Sequence, residues 1–219
     1  MSKKLIIFDL DGTLLNTIGD LAACCNYMLS LRGLEQHSYA DYCSFVGNGV
    51  KRLVERALPE HLRTPEYVDA ARQDFVDYYY DHIDDYTMPY MGIVELVGEL
   101  AAKGVKMAVA SNKFHSGTVK LVEKFFEGVE FGAVYGNREG FPLKPDPAVL
   151  QQIMEQCGAA PEDTYMVGDS GVDMQTALNA SIQSVGVSWG FRSREELEQN
   201  SPNAIVDTAE ELRSLLYQA

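Results

Sequence analysis

Two aspartates, Asp9 and Asp11, follow an apolar run near the start of the sequence. The run, residues 5–8, is continuous, which is typical of a strand buried on both faces of a parallel sheet. Because side chains alternate along a strand, both carboxylates are expected on one side, and Gly12 lets the chain leave sharply. Two carboxylates held at a buried strand end need a cation or a shared proton. The alternative is an ordinary turn, with Asp9 as its cap.

Three later segments also place polar residues after apolar runs. These segments are Ser111-Asn112, the loop Lys144-Pro145-Asp146-Pro147, and Gly168-Asp169-Ser170 with Asp173. Carboxylate oxygens suit Mg²⁺, which favours sites shared with phosphate, and a lysine supplies a point charge for phosphate oxygens. Taken singly, Ser111 and Asp169 could belong to helix caps and Lys144 could be a solvated loop lysine. Taken together, the segments predict a magnesium and phosphate site.

The pattern after Pro89 alternates between strands and helices, whereas residues 16–85 read as helices only. Such alternation predicts an α/β fold with a doubly wound, mostly parallel sheet and a Rossmann-like core, in which sites form at the carboxyl ends of the strands. The helical stretch predicts an inserted α-helical unit. We therefore expect a core made of residues 1–15 and 86–219, with a second, helical domain over 16–85.

One predicted boundary bears directly on the site. The apolar run 105–110 predicts a strand that Ser111-Asn112 ends, and helical spacing predicts the next helix over about 117–126. A short strand is expected at 133–135. Ser111 would then lie just outside its strand, at the start of the connection to the helix.

Composition limits the classes of protein that this chain can be. It has 219 residues, 46% of them hydrophobic, and a formal net charge of −14. This charge disfavours nucleic acid and anionic membranes as partners, and no apolar run is long enough to span a membrane. The four cysteines form no Cys-x-x-Cys pair. We expect a cytoplasmic protein with reduced cysteines, a monomer or homodimer acting on a small molecule.

In this order, the four polar segments resemble the haloacid dehalogenase superfamily. Asp9-Leu10-Asp11-Gly12-Thr13 matches its first motif, Ser111 its second, Lys144 its third, and Gly168-Asp169-Ser170 with Asp173 its fourth. The resemblance covers nearly the whole chain, and the first and fourth motifs together are highly specific. The helical stretch after the first motif looks like the superfamily's α-helical cap domain.

The resemblance implies a role for each motif residue. Asp9 would be the nucleophile that forms an aspartyl-phosphate, and Asp11 the general acid and base. Mg²⁺ would be held by the Asp9 carboxylate, the Asp11 main-chain carbonyl and Asp169, with Asp173 contributing through a water or another ligand. The phosphoryl oxygens would be held by Ser111, Asn112 and Lys144, and Thr13 would steady the loop.

The segment 46–58 looks like the corresponding segment of phosphoglycolate phosphatases. Gly47 and Gly49, on either side of Asn48, would expose main-chain amides at a helix start, and Arg52 adds charge, which suits a carboxylate on the substrate. Lys113 fits the same subgroup and is expected to face the substrate. The alternative is an ordinary glycine turn with basic residues on the surface.

These observations predict Mg²⁺-dependent hydrolysis of small phosphate monoesters through an aspartyl-phosphate, with phosphoglycolate as the leading substrate. Asp11 favours this reaction, because relatives that act as dehalogenases usually lack the second aspartate and need no metal. One alternative is a sugar-phosphate mutase of the same superfamily, similar to β-phosphoglucomutase. Another is a non-catalytic phospho-acceptor or regulatory module; receiver domains share the aspartates and the lysine but lack a helical insert after the first strand.

Overall fold

The computed structural model of the chain describes residues 5–218. In that part of the chain the strands are β1 (Leu5–Phe8), β2 (Leu15–Asn16), β3 (Met88–Pro89), β4 (Lys106–Phe114), β5 (Ala133–Asn137), β6 (Thr164–Gly168), β7 (Gln183–Val187) and β8 (Ala204–Val206). The helices are α1 (Ile18–Ser30), α2 (Tyr39–Phe45), α3 (Val50–Ala57), α4 (Pro65–Asp81), α5 (Ile93–Ala102), α6 (His115–Phe125), α7 (Ala148–Cys157), α8 (Gly171–Asn179), α9 (Arg194–Gln199) and α10 (Ala209–Gln218).

Six strands form one parallel sheet in the order β5-β4-β1-β6-β7-β8. The prediction of an α/β fold with a doubly wound, mostly parallel sheet is confirmed. Strand β1 is central and completely buried, as its unbroken apolar sequence requires. Its neighbours are β4 and β6, so the carboxyl ends of these three strands lie side by side. This topology brings together the polar segments that follow them in the sequence.

The sheet separates two apolar clusters, and alternate residues of β1 point into each of them. Ile6 and Phe8 join the larger cluster, whereas Leu5 and Ile7 join the smaller one on the opposite face. The larger cluster continues into the helices between β2 and β3. Among residues 5–218, no helix has both the length and the apolar composition that crossing a membrane requires.

Strand β4 differs from the sequence prediction. It continues to Phe114 instead of ending at Ser111, and α6 begins at His115 instead of residue 117. The strand register shifts between Ala110 and Phe114, where the pairing with β5 is irregular. The prediction was wrong because it took the polar pair Ser111-Asn112 for the end of the strand; residues 111–113 all belong to it. They are buried, and they line a cavity that supplies polar surroundings.

Helices α1–α4 form what we call the helical unit, residues 16–85. The chain enters and leaves this unit beside the two-stranded antiparallel pair of β2 and β3, where Asn16 pairs with Met88. The buried carboxylate of Asp20 ties the two crossings together. It accepts hydrogen bonds from the backbone N–H of Tyr86 at 2.9 Å and of Thr87 at 2.8 Å, and from the Thr87 hydroxyl. The β2–β3 pair and the role of Asp20 were not predicted from the sequence.

Candidate active site

A cavity of about 40 Å³ lies between the carboxyl ends of β1, β4 and β6 and the helical unit. Such a volume holds about three water molecules. The residues that line it from the sheet side are Asp9, Asp11, Ser111, Asn112, Lys113, Lys144, Asp169, Ser170, Asp173, Phe191 and Arg192. Those from the helical unit are Leu21, Val46, Gly47, Gly49, Val50, Leu53 and Tyr79. The cavity therefore collects residues from every polar segment that the sequence singled out.

Three buried carboxylates form the centre of this cavity. Asp9, Asp169 and Asp173 each bring an oxygen to within 4.8 Å of the other two. Burial raises the pKa of Asp9 to about 7; Lys144 opposes this shift, and the charge of Asp173 adds to it. Burial, and then the charges of Asp173 and Asp9, raise the pKa of Asp169 well above its ordinary value. Ionising the whole cluster is therefore costly without a cation.

Lys144 supplies one such cation. Its ammonium donates to Asp9 Oδ1 at 2.9 Å, to Asp173 Oδ1 at 2.6 Å and to the carbonyl of Ala110 at 2.8 Å. Burial opposes the charged form of Lys144, but Asp173 and Asp9 together raise its pKa above the ordinary value. The ammonium thus uses three donors and stays charged. Singly it could have been a solvated lysine; in the structure it is buried among carboxylates.

The charges at this point fit a divalent cation. One ammonium faces three carboxylates, so two negative charges are left for a further positive group. The oxygens of Asp9 and Asp169 are the carboxylate ligands that Mg²⁺ prefers. Both oxygens of Asp173 already accept hydrogen bonds, Oδ1 from Lys144 and Oδ2 from the backbone N–H and hydroxyl of Ser170. Asp173 therefore anchors Lys144 and the start of α8.

The backbone makes room for Asp169. Gly12 has a φ of +88°, and a Cβ added there would lie 2.2 Å from Asp169 Oδ2. A Cβ added at Gly190 would also lie 2.2 Å from Asp169, at its Cβ. Only glycine permits such close approach at both positions. The backbone N–H of Phe191 then donates to Asp169 Oδ2 at 2.7 Å, which fixes the carboxylate.

Asp11 lies outside the three-carboxylate cluster and pairs with a different lysine. Lys113 donates to Asp11 Oδ1 at 3.2 Å, and both side chains are largely buried. The ammonium of Lys113 also donates to the hydroxyl of Tyr79, a residue of the helical unit. The two aspartates of the first motif therefore have different partners: Asp9 faces Lys144 and the acidic cluster, whereas Asp11 faces Lys113.

The other predicted phosphate ligands are found close to the cavity with different neighbours. The Ser111 hydroxyl accepts from the backbone N–H of Lys113 at 3.2 Å. Asn112 brackets Lys144, accepting from its backbone N–H at 2.9 Å and donating to its carbonyl at 3.0 Å, and it also donates to the carbonyl of Gly47. The Thr13 hydroxyl is buried without a hydrogen-bond partner among residues 5–218, and Thr13 does not line the cavity.

The predicted carboxylate-binding segment is split between two sites. Gly47 and Gly49 line the cavity. Asn48 and Arg52 line a separate outer groove with Arg56 and Arg63, and Arg52 pairs with Glu55 at 2.5 Å. Arg52 is exposed because position 52 lies on the outer face of α3, whereas Leu53 lies on the inner face.

The cavity residues that sequence reasoning missed include Tyr79, Phe191 and Arg192. Arg192 donates to the carbonyls of Cys43 and Val46, so it joins the loop after β7 to the helical unit. Tyr79 is the middle residue of a run of three tyrosines, a pattern more typical of packing than of a site. The segment around Phe191 and Arg192 carries no motif; its one local signal is Trp189-Gly190, which packs beside the first motif through a hydrogen bond from Trp189 Nε1 to the Thr13 carbonyl at 3.1 Å.

Comparison with protein families gives a match over most of the chain. The family model for haloacid dehalogenase-like hydrolases matches residues 6–187. A phosphoglycolate phosphatase from Mesorhizobium japonicum is 32% identical over 211 residues, which cover 94% of this chain and 91% of the relative. A phosphoglycolate phosphatase from Psychrobacter arcticus is 32% identical over 225 residues, covering 100% of this chain and 98% of the relative.

Solved structures give the same result for the fold. A crystal structure from Lactobacillus delbrueckii subsp. bulgaricus superposes with a TM-score of 0.92 at 34% identity and covers 99% of both chains. A predicted phosphoglycolate phosphatase from Haemophilus somnus has a TM-score of 0.87 at 28% identity, covering 98% of this chain and 99% of its own. A predicted phosphatase from Clostridium acetobutylicum has a TM-score of 0.88 at 26% identity, covering 99% of both chains.

Proposed function

The chain belongs to the haloacid dehalogenase-like hydrolases and is a phosphatase, and on this premise we propose that it hydrolyses small phosphate monoesters with the help of Mg²⁺, through an aspartyl-phosphate on Asp9. Phosphoglycolate is the leading substrate, because curated relatives that match nearly the whole chain carry that activity in their names.

One observation carries this proposal: Asp9, Asp11, Lys144 and Asp169 line the same cavity although they are far apart in the sequence. An isolated aspartate pair or a single buried lysine has ordinary structural explanations. A nucleophile, a cation for the phosphoryl oxygens, a metal-binding carboxylate and an acid–base group around one space do not form by packing alone. They are the parts that phosphoryl transfer needs.

Asp9 attacks first. Lys144 holds its Oδ1, so Oδ2 is the oxygen assigned to the attack on phosphorus. A bond forms between Oδ2 and phosphorus while the ester P–O bond breaks, which yields the aspartyl-phosphate and an alkoxide. The ammonium of Lys144, anchored by Asp173, reduces the repulsion between the Asp9 carboxylate and the incoming phosphate.

Asp11 moves the protons. In its protonated form it gives a proton to the departing alkoxide, which leaves as the alcohol. The resulting carboxylate then accepts a proton from a water, and the hydroxide formed attacks the phosphorus. Phosphate is released and Asp9 is restored. Asp11 faces the cavity but lies outside the acidic cluster, which supports a role in proton transfer.

The residues that would hold Mg²⁺ are the carboxylates of Asp9 and Asp169 and the main-chain carbonyl of Asp11, with Asp173 beside them. Bound there, the ion supplies positive charge for the phosphoryl oxygens and for the two uncompensated carboxylates. The position of Asp169 between Gly12 and Gly190 and its bond from Phe191 fix its carboxylate for this role.

The helical unit acts as a cap. The cavity has room for about three waters, and its upper wall is formed by apolar side chains such as Leu21, Val50 and Leu53. A phosphate ester therefore needs the unit to move away for admission and release, and its return excludes bulk water. The short β2–β3 pair, through which the chain crosses twice, is the expected hinge.

The proposal also includes a binding site for the carboxylate of the substrate. Gly47 and Gly49 line the cavity at the start of α3, where main-chain N–H groups favour an anion. Lys113 is the predicted cation on the opposite side. Arg52 does not support this part, because it lies in the outer groove and pairs with Glu55.

The test is phosphate release from a panel of small phosphate esters that includes phosphoglycolate and hexose phosphates. We expect release with Mg²⁺, its loss in EDTA, its return on addition of Mg²⁺, and the highest kcat/KM for phosphoglycolate. Activity that survives thorough chelation would contradict the metal site. Isomerised hexose phosphate without free phosphate would favour the mutase. A long-lived phosphoprotein without phosphate release would favour the regulatory module.

A further inference from the structure

Tyr79 is a completely buried tyrosine of α4 whose hydroxyl reaches the sheet side of the cavity. Its ring stacks on Phe75 at a centroid distance of 5.1 Å and meets Phe114 edge-on at 5.9 Å. Phenylalanine could make both ring contacts equally well. The hydroxyl adds one interaction: it accepts a hydrogen bond from the ammonium of Lys113. Its presence at a buried position therefore points to a polar role.

Lys113 connects Tyr79 with Asp11. It extends from β4, its side chain is 2% exposed, and it donates to Asp11 Oδ1 at 3.2 Å. Its nitrogen also lies 4.6 Å from the centre of the Tyr79 ring, so the ring face adds to the attraction. A continuous line of contacts thus runs from the helical unit, through Lys113, to Asp11.

We propose that Tyr79 is a positioning residue that holds the Lys113 ammonium against Asp11 when the helical unit is closed, and so orients the acid–base carboxyl. The inference rests on the proposed function, in which Asp11 transfers the protons. Tyr79 itself touches none of the reacting atoms.

The geometry serves both protonation states of Asp11. Oδ1 accepts from Lys113, which fixes the carboxyl plane and leaves Oδ2 to give a proton to the leaving alkoxide or take one from water. A buried ammonium without enough acceptors turns toward other ones. Tyr79 prevents this, since its oxygen and ring give the Lys113 ammonium a second partner beside Asp11.

The arrangement also couples cap closure to chemistry. Lys113 and Asp11 belong to the core, whereas Tyr79 moves with the helical unit. When the unit opens, Lys113 loses its second partner and the carboxyl of Asp11 is no longer fixed. Efficient proton transfer is thereby confined to the closed state, in which water is excluded.

The experiment compares two substitutions on the same helix. Tyr79→Phe removes one buried oxygen and keeps the ring contacts. Tyr80→Phe is the matched control, because it makes the same chemical change at a residue that is 49% exposed and does not line the cavity. Each variant is assayed with Mg²⁺ on an alkyl ester that has no carboxylate, ethyl phosphate, and on an aryl ester, 4-nitrophenyl phosphate.

The aryl ester matters because nitrophenolate is a good leaving group and departs without a proton. General acid–base help is typically worth 10²–10⁴-fold, and loss of its orientation removes part of that. We therefore expect Tyr79→Phe to lower kcat/KM for ethyl phosphate by about 10- to 100-fold and that for the aryl ester by less than about threefold. Tyr80→Phe should change neither value.

A double-mutant cycle with Lys113→Met tests whether Tyr79 acts through the lysine. If it does, adding Tyr79→Phe to Lys113→Met causes no further loss of kcat/KM. Lys113→Met alone should show the same dependence on the leaving group. It provides that comparison even if the Tyr79 variant is not folded.

Equal losses on the two esters for Tyr79→Phe would overturn the inference, as would an undiminished effect in the Lys113→Met background. For a Tyr79 variant that does not fold, a uniform loss in Lys113→Met alone would overturn it. A wild-type protein inactive on both esters would overturn the proposed function and this inference with it. An active wild type with uniform losses overturns the inference alone.

Discussion

The two walls of the cavity differ in their charge. The sheet wall is charged: four carboxylates and two lysines lie there, each held by ion pairs or backbone hydrogen bonds. The wall contributed by the helical unit has no charged side chain among residues 5–218; it consists of apolar side chains, two glycines and one tyrosine. The ion pairs of the helical unit lie outside, as in Lys51–Asp69, where both side chains are more than half exposed.

The difference shows where each part of the reaction resides. Fixed charges on the sheet wall are preorganised for phosphoryl transfer, because the strands and short connections that carry them do not need to move. The apolar wall carries no reactive group, but it excludes water and thereby strengthens the electrostatic interactions of the charged groups on the sheet wall. Substitutions on the two walls should therefore impair different properties of the protein.

The largest effect is expected at Asp9, the proposed nucleophile. Asp9→Asn should lower kcat by at least about 10⁴-fold, because the amide cannot form the aspartyl-phosphate. The fold should persist, since asparagine has the same shape. Circular dichroism and steady-state kinetics check both points, and mass spectrometry guards against deamidation back to aspartate. Full activity in a verified Asn variant would remove Asp9 from its assigned role.

Ion pairs on the sheet wall should differ sharply from those on the outer surface of the helical unit. Lys144→Met leaves Asp9 and Asp173 buried without their cation and should cost about 3 kcal/mol in the free energy of unfolding. Lys51→Met breaks the exposed pair with Asp69 and should cost less than about 1 kcal/mol. Denaturant unfolding of both variants in EDTA measures the contrast. Equal losses in the free energy of unfolding would mean that the buried and the exposed ion pairs contribute equally to stability.

The buried carboxylates of the sheet wall should also make the stability of the metal-free protein dependent on pH. Burial raises the pKa of Asp9 from 3.8 to about 7, so its contribution to stability is complete below about pH 4 and is lost as the pH rises towards 7. In EDTA, Asp9→Asn should therefore gain stability relative to the wild type between these values. Thermal unfolding at several pH values checks the sign, and a difference that does not change with pH would contradict it.

A truncation in the apolar wall should alter substrate preference more than chemistry. Leu53 lines the cavity, whereas Leu58 is equally buried in the helical unit but lies away from it. Leu53→Ala enlarges the site and should shift the ratio of kcat/KM values towards bulkier phosphate esters by about tenfold. Leu58→Ala should leave this ratio unchanged despite a similar loss of stability. The same shift in both variants would argue against a selective apolar wall.

The smallest effect is expected at Arg52. Its side chain lies in the outer groove and is paired with Glu55, so Arg52→Ala should change kcat/KM for phosphoglycolate by less than about twofold. Steady-state kinetics on the purified variant is sufficient. A tenfold rise in KM would instead support the carboxylate-binding role that the sequence pattern suggested.

The parts that could be predicted from sequence are those with a local signal. The unbroken apolar run of β1 predicted a strand buried on both faces of a parallel sheet, and the alternation after Pro89 predicted the doubly wound sheet; both are confirmed. Prediction failed at β4, where the polar pair Ser111-Asn112 was taken for the end of the strand although both residues are buried beside the cavity. Local polarity does not distinguish a residue facing solvent from one facing a polar site.

The sequence by itself determined which residues can carry the chemistry, because the aspartates, the lysine and their neighbouring glycines occur in short motifs after apolar strands. Only the tertiary structure decided their partners. Lys144 meets Asp173, Lys113 meets Tyr79, and Arg192 meets the loop before α3, each across 29 or more positions in the chain. The physical reason is that these contacts arise from the order of the strands in the sheet and from the packing of the helical unit on it, and no local pattern of residues records which side chains such packing brings together.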